Sequence, residues 1–180
     1  MGHFLIPVSF VALVLGAPRP LSAARSSAGD TIPPALAPLG DEHRSLRASF
    51  DGVLRRATAP AGTRADRLAL VAFLRNRLIP YAQSEELVLY PALDSVLGPE
   101  GHPTAALVDD HRAVAKMTLE LASLADTDVP AFQRETVKLA ALVEQHFSLE
   151  DEFVLPNLAR KMNGRALHAL LARLAAQRAQ

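Results

Sequence analysis

Apolar residues recur at intervals of three and four along five stretches of the chain, the spacing of one buried helix face. Leu39, Leu46, Phe50 and Val53 form the first stripe. Val71, Leu74, Leu78 and Val88 form the second, and Leu107, Val114, Thr118 and Leu121 the third. Leu139, Val143 and Phe153 belong to the fourth, and Leu167, Leu170, Leu171 and Leu174 to a short fifth. The predicted helices run over about 39–57, 64–90, 104–125, a fourth ending near Pro156 or Met162, and 165–180. Turns are expected at Thr58–Thr63, Gly98–Pro103, Asp126–Pro130 and Asn163–Gly164, where Gly, Pro, Asn and Asp cluster. Asp126–Pro130 can also cap the fourth helix. Pro80 falls inside the second helix and should kink it or force a local bulge. Pro91 is expected to end that helix.

Four of these stripes carry polar residues where leucine would serve. His43 interrupts the first, Tyr81 and Glu85 the second, His111 the third, and His146 and Glu150 the fourth. His146 and Glu150 are four apart, so both side chains face one point. A carboxylate on a core face is costly unless it is paired or binds a metal. Three histidines and two carboxylates on such faces therefore favour a metal site over a set of isolated core residues.

The pattern is also duplicated. Asp41-Glu-His-Arg44 recurs 68 residues later as Asp109-Asp-His-Arg112, and Glu85–Leu93 recurs 65 residues later as Glu150–Leu158. In this alignment Glu85 corresponds to Glu150, and Tyr81 to His146. Each half supplies one early histidine and then [His/Tyr]-x-x-x-Glu. Four helices with short links make an antiparallel up-down bundle, with the fifth helix as an addition that covers a bundle end or joins a partner chain. The expected division is 1–38 as leader and linker, 39–162 as the bundle and 163–180 as the C-terminal helix.

His43, Tyr81-x-x-x-Glu85, His111 and His146-x-x-x-Glu150 together resemble the hemerythrin-like HHE cation-binding family, whose pattern is His, His-x-x-x-Glu, His, His-x-x-x-Glu. Glu85-Glu86 leading into Leu89-Tyr90-Pro91 resembles it as well. Tyr81 departs from the pattern, standing where the family has histidine. The resemblance implies a non-haem di-iron centre bridged by carboxylates, held by His43, Tyr81, Glu85, His111, His146 and Glu150. Its ligands would be dioxygen or peroxide, or its task redox or iron sensing. The imidazole and carboxylate donors alone suit iron, manganese or zinc; the resemblance puts iron ahead of zinc and manganese. The order His-x-x-x-Glu separates the chain from ferritin-like bundles, which use Glu-x-x-His. A phenolate at Tyr81 would stabilise ferric iron, which favours peroxide chemistry over reversible dioxygen binding. Two other readings stay open: a mononuclear site built on His111, His146 and Glu150, and a metal-free helical module that binds a partner, with residues 165–180 as an oligomer contact.

Composition narrows the choice. The 180 residues include no cysteine, which excludes disulfides and iron–sulfur clusters and leaves nitrogen and oxygen donors. Formal net charge is zero, which gives no sign of nucleic-acid or membrane-surface binding. Phe4–Ala17 is short for a transmembrane span but has the length of a signal-peptide core, with Ser22-Ala-Ala24 as a cleavage site. Against export, the start Met1-Gly-His3 has no Lys or Arg, so an exported and a cytoplasmic protein both fit. Residues 19–38, rich in Ala, Ser and Pro, read as a flexible linker. His3, His102 and His168 are expected to be structural or solvated. Asp41, Glu42, Glu86, Asp109, Asp110, Asp151 and Glu152 read mostly as helix-terminal or solvated charges, with Glu86 and Glu152 the two with reach to support the ligands.

Overall fold

The structure is a computed structural model that describes residues 34–98 and 104–180. The leader, most of the linker, His3 and His102 lie outside the described residues. The described residues form five helices and no strand. α1 is Ala37–Thr58, entered through a 3-10 turn at Pro34–Leu36. Leu36 is fully buried, so the fold begins slightly before the sequence boundary at 39. α2 is one rod over residues 64–97, α3 is Ala105–Leu124, α4 is a second rod over 129–161, and α5 is Gly164–Arg178.

Local chemistry accounts for the helix ends. Thr63 and Asp66 form a reciprocal capping box at the start of α2. The side chain of Asp128 accepts from the Ala131 N–H at 2.9 Å and starts α4; Asn163 does the same for α5 through Ala166. α2 stops at Gly98, whose φ of 95° suits glycine best. Buried Arg67 ties two helix ends together, donating to the carbonyls of Ala125 and Gly62.

Neither Pro80 nor Pro91 ends α2, and Pro156 does not end α4. Each follows a π turn: Leu74–Leu78, Glu85–Leu89 and Glu150–Val154. In each, the residue before the proline donates its N–H five positions back, Ile79 to Leu74, Tyr90 to Glu85 and Leu155 to Glu150. The wider turn accommodates a residue that has no N–H and a bulky ring. Pro80 thus produces the bulge that was one of its two expected outcomes, whereas Pro91 is carried inside a helix that continues to Leu97.

Each π turn also inserts a residue, so the inward face slips by one position. Phe153, expected on the buried stripe, is 39 % exposed, while Val154 and Leu155 are fully buried. In α2, Val88 is half-buried, and Leu89 and Tyr90 point inward instead.

α1 packs on α2 and α4, and α3 on α2 and α4. α5 lies against the middle of α2 and the 3-10 turn, and spends Leu167, Leu170 and Leu174 in the core of this chain. The interior divides into two apolar clusters. One is built around Phe50, Leu74, Phe132, Leu139 and Phe147, the other around Leu36, Leu89, Leu93, Leu155 and Leu170. Between them lies a belt of buried polar side chains. None of the helices is long and apolar enough to cross a membrane, among the described residues.

Candidate metal centre

His43 comes from α1, Tyr81 and Glu85 from α2, His111 from α3, and His146 and Glu150 from α4. Apart from Tyr81, which is half-buried, all are at most 9 % exposed, and Glu150 is fully buried. They converge between the two apolar clusters. Two groups of donors form there, Glu85 with His111 and His146, and His43 with Glu85 and Glu150. Glu85 belongs to both. One of its oxygens lies 3.5 Å from His43 Nε2 and the other 3.8 Å from His111 Nε2. Glu150 Oε2 is 3.6 Å from both His43 Nε2 and His146 Nε2.

Each histidine is backed by a carboxylate on its outer nitrogen. Nδ1 of His43 faces Asp151 at 2.8 Å, Nδ1 of His111 faces Glu86 at 2.8 Å, and Nδ1 of His146 faces Asp110 at 3.3 Å. A carboxylate accepts only, so each Nδ1 holds a proton and Nε2 is the nitrogen turned to the centre, free to ligate wherever the ring is neutral. This is the arrangement that orients metal-binding histidines. Asp110 and Asp151, read as terminal or solvated charges, are therefore part of the centre. Glu86 is as well, while Glu152 is exposed and does not take part.

The electrostatics divide the centre. Burial pulls the His43 imidazole down, but the hydrogen bond to Asp151 and the closeness of the Glu85 and Glu150 carboxylates outweigh it and raise it to about 10, so without a metal the ring is a cation. Burial holds His111 below the ordinary histidine value, against the pull of Glu85. Burial and the neighbouring His111 charge do the same to His146. Burial and then the charge of Glu85 push the Glu150 carboxyl well above its usual range.

Two tyrosines meet this site. Tyr81 sets its ring edge-on to His43, centroids 5.9 Å apart, and its buried hydroxyl has no hydrogen-bond partner. The Arg178 guanidinium, from the last turn of α5, lies 3.9 Å above that ring. Arg178 also donates to Ser84 at 2.8 Å, pairs with Glu42, and comes within 3.7 Å of Glu85. Burial raises the Tyr81 phenol, with Glu85 adding to the effect and Arg178 opposing it. Tyr90 was named in the sequence only as part of a flanking motif. Its hydroxyl donates to Glu150 Oε1 at 2.7 Å and lies 3.3 Å from His111 Nε2 and 3.4 Å from His146 Nε2. Burial and then the Glu150 charge raise its phenol too. What brings Tyr90 inward is the π turn at Glu85–Leu89, which helical spacing does not show.

The donors fit a cation. His43 Nε2, Glu85 Oε1 and Glu150 Oε2 are buried without a hydrogen-bond partner, the nitrogen 3.5 and 3.6 Å from the two oxygens, a gap that a cation would fill. His111 Nε2 and His146 Nε2 stand 2.9 Å apart with their outer nitrogens occupied, so a proton or a cation is needed between their lone pairs. Two carboxylates sunk between apolar clusters call for positive charge as well. Among the expected ligands, the five histidine and glutamate positions are brought together, and Tyr81 flanks them on the His43 side. His168 is exposed, as expected of a solvated residue.

The family model described as hemerythrin HHE cation binding domain matches residues 35–177, and the chain belongs to that family. The matched span includes α5 up to the residue before Arg178. Searches of curated proteins and of solved structures give no match.

Proposed function

We propose, from that family membership as premise, that this chain is a non-haem di-iron protein that binds or turns over dioxygen or peroxide, or senses redox state or iron. The observation that carries the reading is the pair of buried donor groups sharing Glu85. One shared carboxylate between two sets of imidazole and carboxylate donors suits two ions better than one. The groups join His111 and His146 to Glu85, and Glu150 to His43, which favours the dinuclear reading over a mononuclear site of His111, His146 and Glu150. A metal-free helical module would leave the His43 ring 3.5 and 3.6 Å from two buried carboxylates without a hydrogen bond to either, a poor match for charges taken out of water. We also infer that α1–α4 form an antiparallel up-down bundle with α5 outside it.

In this reading His43, Glu85 and Glu150 hold one iron, with Tyr81 as a phenolate ligand beside His43, and Glu85, His111 and His146 hold the other. An iron pair held there would supply redox chemistry towards an oxygen species. The protein does the rest. Asp151, Glu86 and Asp110 keep protons on Nδ1 and leave Nε2 free. Tyr90 donates its hydroxyl proton to Glu150 Oε1, leaving Oε2 turned to His43 and His146. The two apolar clusters exclude water, which strengthens every charge interaction inside. Arg178 sets its positive charge over the face of the Tyr81 ring and opposes the rise of its phenol.

Metal analysis of protein expressed with ample iron tests the proposal. About two irons per chain are expected, as in other dinuclear carboxylate bundles. About one would favour the mononuclear reading, and none would overturn the metal reading altogether.

A further inference from the structure

A cavity of about 210 Å³ opens between α2 and α3 and ends on Glu85, His111 and His146. Its walls are apolar: Leu78, Ile79, Val114, Val143 and Phe147. Dioxygen or peroxide needs roughly the room of one or two waters, about 30 Å³ each, so this chamber is several times larger than those species require. A cavity of roughly 150 Å³ lined by aliphatic and aromatic side chains is enough for benzene. Tyr81, Gln83, Glu86 and Arg112 line it as well; Gln83 and Arg112 are exposed, whereas the Tyr81 hydroxyl is buried without a partner.

We propose that this chamber binds an organic molecule of phenol size, with its ring against Leu78, Val114, Val143 and Phe147 and its single oxygen head directed to the Glu85–His111–His146 floor. The position of the head rests on the metal reading above; the seat for the ring does not. The mostly apolar lining disfavours a multiply charged ligand, since most of its charged groups would enter without a partner. The floor favours one anionic oxygen when a cation is held there. Ala82 of α2 and Ala115 of α3 line the chamber with minimal side chains, and a larger residue at either would fill it.

The test uses the full chain in iron-free and iron-loaded forms, with benzene, phenol and azide as probes. Benzene should raise the melting temperature of the iron-free wild type. Phenol should perturb the iron absorption of the loaded protein, as should azide. Ala115→Leu, and independently Ala82→Leu, should retain iron and azide binding but weaken phenol about tenfold or more, the scale of overpacking a filled site. Azide binding without phenol binding would overturn the proposal and leave the metal reading intact. Phenol binding undiminished in both variants would also overturn it. If the chain takes up no iron, the metal reading fails, and benzene binding by the iron-free protein still decides the chamber. Should both variants unfold, the wild-type titrations decide alone.

Discussion

Glu85 and Glu150 hold equivalent positions in the two halves of the repeat, and each is the first residue of a π turn that ends two residues before a proline. Their surroundings differ. Glu150 is held through Oε1 by the Tyr90 hydroxyl and sits in the His43 group. Glu85 has no such hydrogen bond, faces both donor groups, and has Arg178 nearby. The duplicated sequence thus builds an asymmetric centre. Tyr81 replaces the His146 equivalent, Tyr90 replaces the Leu155 equivalent, and α5 brings Arg178 to Tyr81 and Glu85 of the first half. The histidines divide in the same way: His43 is pushed up by its carboxylates, whereas His111 and His146 are held down by burial. A repeat can therefore supply the scaffold of a two-ion site while single substitutions give its halves different tasks.

Glu85→Ala should break the comparison most severely, because both groups lose a donor at once. Bound iron is expected to fall from about two per chain to none, and the stabilisation by metal should vanish, ~2.7 kcal/mol at a hundredfold excess over Kd, or roughly 5–10 °C in Tm. Metal analysis and calorimetry measure both. His43→Ala and His146→Ala should each remove iron from one group first, leaving about one ion per chain. Equal and complete loss in both variants would show that the groups fill only together.

Tyr81→Phe and Tyr90→Phe separate the two phenols. Tyr81→Phe should remove a phenolate-to-iron absorption band from the oxidised protein while keeping most of the fold, since the ring volume is retained. Tyr90→Phe should keep the band. The reverse outcome would move the phenolate role to Tyr90, and an unchanged spectrum in both would leave neither as a ligand. Tyr81→His should restore the family's ligand set and make the reduced form easier to reach.

Smaller effects concern the outer carboxylates. Asp151→Asn should weaken metal binding about 10- to 100-fold by loosening His43, whereas Glu152→Ala, its exposed neighbour, should leave affinity unchanged. A competition titration against a chelator distinguishes them. The smallest effect carries an informative size: in the iron-free protein Glu150→Ala removes a buried carboxylate but strips the Tyr90 hydroxyl of its acceptor, a net cost of ~1–3 kcal/mol, while in the loaded protein it lowers Tm further by releasing metal. Destabilisation of the iron-free form by several kcal/mol would mean that Glu150 is needed for the fold itself.

The chain's own pattern was enough for the all-helical class, the five helices and the inward placement of His43, Glu85, His111, His146 and Glu150, because a residue's face on a helix follows from its spacing within that helix. The family resemblance rested on the same positions. What lies beyond each π turn could not be read this way. A proline announces a disturbance, but whether it ends the helix or is absorbed by a wider turn depends on the packing around it. That choice turned Phe153 outward and Tyr90 inward. Partnerships between helices were equally hidden. Asp110 serves His146 and not its neighbour His111, Asp151 serves His43 from 108 residues away, and Arg178 reaches Tyr81 and Glu85 from the end of the chain. Periodicity determines which side of a helix faces the core. The rotation and axial offset of one helix against another decide which side chains meet there, and those are set only when the whole core packs.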